Sequence, residues 1–250
     1  HLGLSIADLD AYHTTIDRIA QALEKYVDVD RILEICQSPI SPVNLPAKQS
    51  HPSSDFTVAI ARDEAFNFCY PQNVNILQQR GKVVFFSPLR DSKVPEADLV
   101  YLPGGYPECH LEALSSNTAM QKSIYNYATS SGKIIAECGG LMYLSQAIIN
   151  KEGQKYSMAR VFDFETSMER MKLRLGYRRL HAPNIELKGH EFHYSHIVKD
   201  QATTTVGQVT NARHQAVDTY LYQYQQVFAS YMHLYFGTDE LLDMILSLGQ

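Results

Sequence analysis

Cysteine is scarce and poorly spaced for cross-linking. The four cysteines of this 250-residue sequence, Cys36, Cys69, Cys109 and Cys138, form no CxxC pair, which argues against a disulfide framework or a zinc site. The expected compartment is the reducing cytoplasm. Basic residues are not in excess: 22 Lys and Arg stand against 27 Asp and Glu, a net charge of −5, so no global basic field awaits nucleic acid. No apolar run reaches the ~18 residues that signal a membrane-spanning helix. The start, HLGLSIADLD, lacks a basic n-region and a signal-type apolar core. It also lacks an initiator methionine, so the chain is expected to begin inside a longer protein. Internal repeats are missing as well.

What is present is a globular composition, 45% apolar and 20% charged, built around one stretch. The apolar run Lys133-Ile134-Ile135-Ala136-Glu137 ends abruptly in Cys138, followed by Gly139, Gly140 and a helix-like LMYLSQAII. A strand that turns sharply into a helix around a reactive side chain is the pattern of a nucleophile elbow. Such a turn needs small residues two before and two after the nucleophile, here Ala136 and Gly140. The first turn of the helix aims unpaired N–H groups at the cysteine, lowering its pKa and offering donors to an oxyanion. The plainer alternative is a buried cysteine at a strand end that needs glycines only to turn.

Taken in order, residues 8–37 read as two helices, with Ile16, Ile19, Ala20, Leu23 and Val27 near a 3.6-residue period and Asp28 or Asp30 capping the second. SPISPVNLPAKQSHPSSD reads as a Pro/Ser-rich linker, which divides the chain into a helical connector with linker, 1–54, and a main domain, 55–250. Within that domain FTVAIA, KVVFFSPL, ADLVYLPGG and KIIAE read as strands. Residues 71–80 and 108–130 read as helices, the latter with Leu111, Leu114, Met120, Ile124 and Tyr127. Strands alternating with helices give an α/β class, a mostly parallel sheet with helices on both faces, and ligands at the carboxyl ends of its strands. Both Gly-Gly turns lie at such ends. Beyond residue 154 the pattern is β-rich. YQQVFASYMHLYF is expected to form a strand and a turn, and GTDELLDMILSLG a C-terminal helix capped by Thr238 or Asp239.

A cysteine nucleophile needs a base. His181, His190, His193, His196 and His233 are candidates, each of which could equally be a surface or core histidine. His233 has the best context, a titratable group after the apolar run VFASYM and before a turn at Gly237. His190 and His193 flank Glu191, but strand alternation points the two histidines to opposite faces, which argues against a metal site.

AECGGLMYL, LPGGYPE, ARDEAFNFCYPQN, LGYR, GHEFHYS and ASYMHLYF occur together between about residues 56 and 237. Together they resemble the C-terminal glutaminase domain of the cobyrinic acid a,c-diamide synthases, within the class I, triad-type glutamine amidotransferases of flavodoxin-like fold. Residues 1–37 resemble the segment that joins this domain to an N-terminal synthetase domain. The resemblance implies that Cys138 attacks the carboxamide of glutamine to give a thioester and ammonia, with His233 as base and acid. It implies an oxyanion hole from the N–H groups of Gly105 and Gly139. Arg178 and Glu191 are weaker candidates for holding glutamine. No cofactor is implied in this domain. ATP and Mg²⁺ are implied in the synthetase domain, which would also bind the corrin whose a and c carboxylates are amidated.

Three departures stand out. The family's glutamate two residues after the histidine is Tyr235 here, so His233 works in a dyad or is oriented by an acid from elsewhere, Glu137 or Glu191. Met142 stands where many triad amidotransferases carry a substrate-binding glutamine. Cys69 replaces an aromatic and reads as a packing variant. Leu234 after His233, with HEFHYS, favours the a,c-diamide synthases over the cobyric acid synthases. A nickel-sirohydrochlorin diamide synthase shares these motifs and stays open. So do a cysteine peptidase or hydrolase of the same fold, and a non-catalytic module.

Overall fold

The computed structural model describes residues 9–37, 56–182, 185–198, 204–237, 242–243 and 247, with backbone alone for 9–12 and 185. The linker reading and the caps at Thr238 and Asp239 lie outside the described residues, as does most of the C-terminal helix. The chain divides into two compact units, residues 1–49 and 50–250.

The first unit contributes α1 (Leu9–Tyr26) and α2 (Val29–Cys36). Asp28 is the cap of α2: its Oδ1 accepts the Arg31 N–H at 2.9 Å. The apolar stripe that gives these helices their period, including Ile16, Ile19, Leu23, Ile32 and Leu33, is exposed.

The second unit is built on a six-stranded sheet. Its strands are β1 (Thr57–Ala61), β2 (Lys82–Phe86), β3 (Leu99–Leu102), β4 (Lys133–Glu137), β12 (Tyr222–Tyr224) and β13 (Val227–Ser230), in the order β12-β13-β4-β3-β1-β2. All neighbours run parallel except β12 and β13. Alternation along the strands splits the core in two. Ala59, Val100, Leu102, Ile134 and Ala136 face α4 (Leu111–Ser116), α5 (Thr118–Thr129) and α6 (Gly139–Leu144). Val58, Ile60, Leu99, Tyr101 and Ile135 face α3 (Pro71–Arg80) and a four-stranded antiparallel sheet. That sheet comprises β11 (Gln208–Asn211), β8 (Arg174–Ala182), β9 (Ile185–His193) and β14 (Met232–Tyr235). A third sheet joins β10 (His196–Val198), β7 (Glu165–Ser167), β5 (Ala147–Ile149) and β6 (Lys155–Ser157). The α/β class, the mostly parallel sheet with helices on both faces and the β-rich C-terminal half are as expected.

Three elements differ from the sequence reading. The helix expected over 108–130 is broken. A 3₁₀ turn spans Pro107–Cys109, and Asn117 separates α4 from α5. Asn117 Oδ1 accepts the Met120 N–H at 3.3 Å, while its Nδ2 donates to Pro88 O and Asp91 O, both at 2.8 Å. An Asn side chain competing for backbone groups ends one helix and caps the next. The helix after Cys138 stops at Leu144. Ser145 turns extended, its Oγ donating to Met142 O at 2.7 Å and Ala147 O at 3.0 Å, and Ala147–Ile149 becomes a strand. The final aromatic block starts on the last residue of β12 and holds two strands, β13 and β14. Tyr231 hands the chain from β13 in the large sheet to β14 in the antiparallel one, so His233 sits within a strand and not at the end of one.

Candidate active site

Cys138 follows the carboxyl end of β4, beside the carboxyl end of β3. Parallel neighbours of β4 on both sides, β3 and β13, fix where that strand stops, and the Cys138 N–H donates to Ser230 O at 2.8 Å. Cys138 has φ +46° and ψ −101°, a left-handed-side conformation that a non-glycine residue adopts only when its surroundings enforce it. The tightest constraint on Gly140 comes from across the sheet. A Cβ on Gly140 would lie 2.2 Å from Leu102 O, so the steric demand comes from the neighbouring strand β3.

Two further glycines bring the site together. A Cβ on Gly139 would fall 3.1 Å from Gly105 N, so the start of α6 and the turn after β3 are in contact. A Cβ on Gly104 would fall 2.2 Å from His233 Cε1, so the same turn lies against the His233 ring. The turn is held in place from β1. Asp63 Oδ1 accepts the N–H groups of Ala65 and Phe66 at 2.9 and 3.1 Å, and its Oδ2 accepts Ser87 Oγ–H and Leu89 N–H at 2.8 and 2.9 Å. Ala65 O then accepts the Tyr106 N–H at 2.9 Å.

The electrostatics leave Cys138 a resting thiol, its Sγ 3.9 Å from Phe192 O, and His233 a neutral base. Burial pushes the Cys138 thiol well up, the Glu108 charge adds to this, and the Gly139 N–H opposes it. Burial pulls His233 down to about 3, with His190 and His193 acting in the same direction and Glu191 against. His233 is therefore an unprotonated imidazole at neutral pH. Its ring makes an edge contact with Phe68 at 4.6 Å and stacks on His190 at 4.7 Å. Its Nδ1 has no hydrogen-bond partner and lies 4.0 Å from Glu137 Oε2.

The structure separates the other candidates. His193 has both ring nitrogens committed, Nδ1 to Ser195 O and Nε2 to Glu191 Oε1, each at 2.8 Å. His190 Nδ1 is hydrogen-bonded to Tyr70 Oη. His181 Nε2 pairs with Thr210 Oγ1 at 3.1 Å, and His196 is half-buried in β10. Arg178 and Glu191 meet each other, Nε to Oε2 at 2.6 Å. Glu191 Oε1 also accepts from Thr219 Oγ1 at 2.7 Å. Both carboxylate oxygens of Glu191 are thus committed inside the protein, in a buried network and not an open subsite. Burial favours its neutral form, but hydrogen bonds from His193, Thr219 and Arg178 outweigh this and hold it down to about 2. Cys69 packs against the second core with its Sγ 3.7 Å from Tyr70 O, and burial raises its thiol to about 12.

Sequence reasoning missed the aromatic wall of Phe68, Tyr70 and Tyr101. The dense FNFCY segment after β1, at the carboxyl edge of a parallel sheet, is the signal that pointed to the first two. Among the described residues, no group of three or more His, Cys, Asp or Glu is arranged to hold a metal ion. No described helix is long and apolar enough to cross a membrane.

Solved structures that share this fold define the class as an amidotransferase fold. PurLQS from Thermotoga maritima overlays with TM-score 0.53 at 14% identity, covering 78% of this chain and 99% of that one. A glutamine amidotransferase overlays with TM-score 0.51 at 12% identity, covering 76% and 96%. Residues 57–241 match the model of the CobB/CobQ-like glutamine amidotransferase domain, and the chain belongs to that family. Among curated relatives, the cobyrinate a,c-diamide synthase of Syntrophotalea carbinolica is 35% identical over 95% of this chain and 55% of its own length. That of Picrophilus torridus is 38% identical over 96% and 54%. The hydrogenobyrinate a,c-diamide synthase of Stutzerimonas stutzeri is 32% identical over 96% and 55%. The chain spans about half the length of these relatives.

Proposed function

We propose that this domain hydrolyses glutamine through a Cys138 thioester and supplies ammonia for the amidation of a cobyrinate-type corrin at its a and c carboxylates. The observation that carries the reading is the Pro103-Gly104-Gly105 turn, against which both Gly139 of the strained elbow and the His233 ring pack. Neutral His233 takes the thiol proton, and Cys138 Sγ attacks the side-chain carbonyl carbon of glutamine. The N–H groups of Gly105 and Gly139 receive the oxyanion. His233 returns its proton to the departing nitrogen, ammonia leaves, and water cleaves the thioester to glutamate by the same route in reverse. A buried thiol with a raised pKa does not ionise unaided at neutral pH, which is why this site needs the base.

The acceptor and the energy source come from the longer protein. Relatives of about twice this length are named cobyrinate a,c-diamide synthases, which supports a corrin acceptor and an ATP- and Mg²⁺-dependent synthetase part of the same polypeptide. Four free cysteines favour the cytoplasm. The test is Cys138→Ser in the full-length protein. Glutamine-dependent amidation of cobyrinate should vanish while amidation with free ammonia persists. Equal loss of both would overturn the division of labour.

A further inference from the structure

The position two residues after the base holds no acid, and the fold offers one from elsewhere. Tyr235, in that position, is 44% exposed and stands edge-on to Tyr70 at 6.2 Å. Glu191 is fully engaged with Arg178, His193 and Thr219. Glu137 is neither far nor saturated. Alternation along β4 turns it to the same face as Ile135, where its side chain is 2% exposed. Its Oε1 accepts the backbone N–H of Leu234, the residue after His233, at 3.0 Å. Its Oε2 accepts the Tyr101 hydroxyl at 2.8 Å and lies 4.0 Å from the unpartnered His233 Nδ1. Asn73 of α3 clamps the same strand, donating to Leu234 O at 2.8 Å and accepting from Phe236 N–H at 3.0 Å. A buried nitrogen without a partner and a buried carboxyl one small rotation away form a hydrogen bond in waiting.

We propose that Glu137, the residue immediately before the nucleophile, is the positioning acid of His233: its carboxylate holds the imidazole proton on Nδ1 and leaves Nε2 as the acceptor for the Cys138 thiol proton. This rests on the reading of Cys138 and His233 as nucleophile and base. The proton count closes. The thiol proton moves to Nε2, the imidazolium so formed faces the Glu137 carboxylate, and the proton leaves with ammonia. Glu137 neither gains nor loses a proton over the cycle. One strand end thereby supplies both the nucleophile and the group that orients its base, while Tyr235 is released from that duty.

The groups that face Glu137 are Tyr101 from β3, His233 and the Leu234 N–H from β14, Cys69 and Tyr70 ahead of α3, and its neighbour Cys138. In these surroundings burial pushes the carboxyl up to about 8, against the hydrogen bonds from Tyr101 and Leu234. The competent, ionised form therefore fills as pH rises through that range.

The experiment is labelling of Cys138 by a chloroketone analogue of glutamine, followed by mass spectrometry across pH 6 to 10, in wild type and Glu137→Gln. Wild type should show a rate rising through an apparent pKa near 8. The variant, which keeps an oxygen for Leu234 N–H, should lose that limb and label about 10²–10⁴-fold more slowly at its plateau. A variant with the wild-type rate and pH profile overturns the proposal while leaving the nucleophile reading intact. Failure of wild type to label at Cys138 removes both. Nitrogen NMR of histidine-labelled wild type, with His233 assigned by His233→Asn, gives a second readout that needs no folded Glu137 variant. A proton on Nδ1 above pH 8 is expected, and a proton on Nε2 there overturns the proposal.

Discussion

Gly104 and His233 occupy one another's space: a methyl group at Gly104 would fall 2.2 Å from Cε1 and 2.8 Å from Nδ1 of the ring. The glycine is a seat for the base, and its lack of a side chain is what lets β14 bring an imidazole up to the end of β3. Gly104→Ala is expected to push the ring away, cutting glutamine hydrolysis about 100-fold, the scale of loss for a misplacement near 1 Å. Overpacking should cost about 1–3 kcal/mol of stability. Steady-state kinetics beside thermal unfolding checks both, and a variant of wild-type activity would contradict the seat.

Burial makes Cys138 a poor target for generic reagents. It is 6% exposed with a raised thiol pKa, whereas Cys36 and Cys109 are exposed. Timed alkylation with iodoacetamide near pH 7.5 is expected to mark Cys36 and Cys109 before Cys138. Peptide mapping reads the order, and early labelling of Cys138 would mean that its thiol is activated without substrate.

The Glu191 network sets an acid limit to stability. Its carboxyl titrates at about 2 in the folded protein against the ordinary 4.5, so its contribution is complete above pH 4.5 and drains as pH falls toward 2. Glu191→Gln leaves the buried Arg178 without its partner charge and should destabilise the protein by about 3 kcal/mol at pH 7. The deficit should shrink in acid. Urea unfolding at pH 7 and pH 3 measures it, and a deficit independent of pH would show that the carboxylate is not the source.

Asn117 is expected to matter for folding and not for chemistry. Asn117→Ala removes the α5 cap and two bridges to the loop after β2, a loss of about 1–2 kcal/mol for the cap alone. Glutamine hydrolysis below the unfolding temperature should be unchanged. A drop in turnover would tie α5 to the site in a way its position does not suggest.

The architecture was legible where local pattern and tertiary packing agree. The short apolar runs that became β1 to β4 are flanked by helical periods, and the glycines at 104–105 and 139–140 marked the carboxyl ends where chemistry gathers. Cys138 and His233 stood out as candidates for the same reason, each being a reactive group attached to an apolar run. Legibility failed where a side chain overrode the period. Asn117 and Ser145 redirect the chain through hydrogen bonds to distant or local carbonyls, and no periodicity registers such bonds. Tyr231 moves the chain between sheets within an unbroken apolar run, a switch invisible without its partners. Arg178 and Glu191 attracted attention as polar residues in β-rich motifs, but they lie diagonally across β8 and β9, Arg178 opposite Gly189 and Glu191 opposite Gly176, and their side chains pair with each other. In sequence, a dyad and an orienting acid at Glu137 or Glu191 all stayed open. Only the buried, partnerless face of His233 separates the two.

Cys138 and His233 are proposed to form one glutamine-hydrolysing site. Its most direct test is the site of covalent capture by the chloroketone glutamine analogue, compared between wild type and His233→Ala. The expected result is a single adduct on Cys138 that excess glutamine suppresses and that the His233 variant forms far more slowly. An adduct elsewhere, one indifferent to glutamine, or equal labelling without the histidine would contradict it.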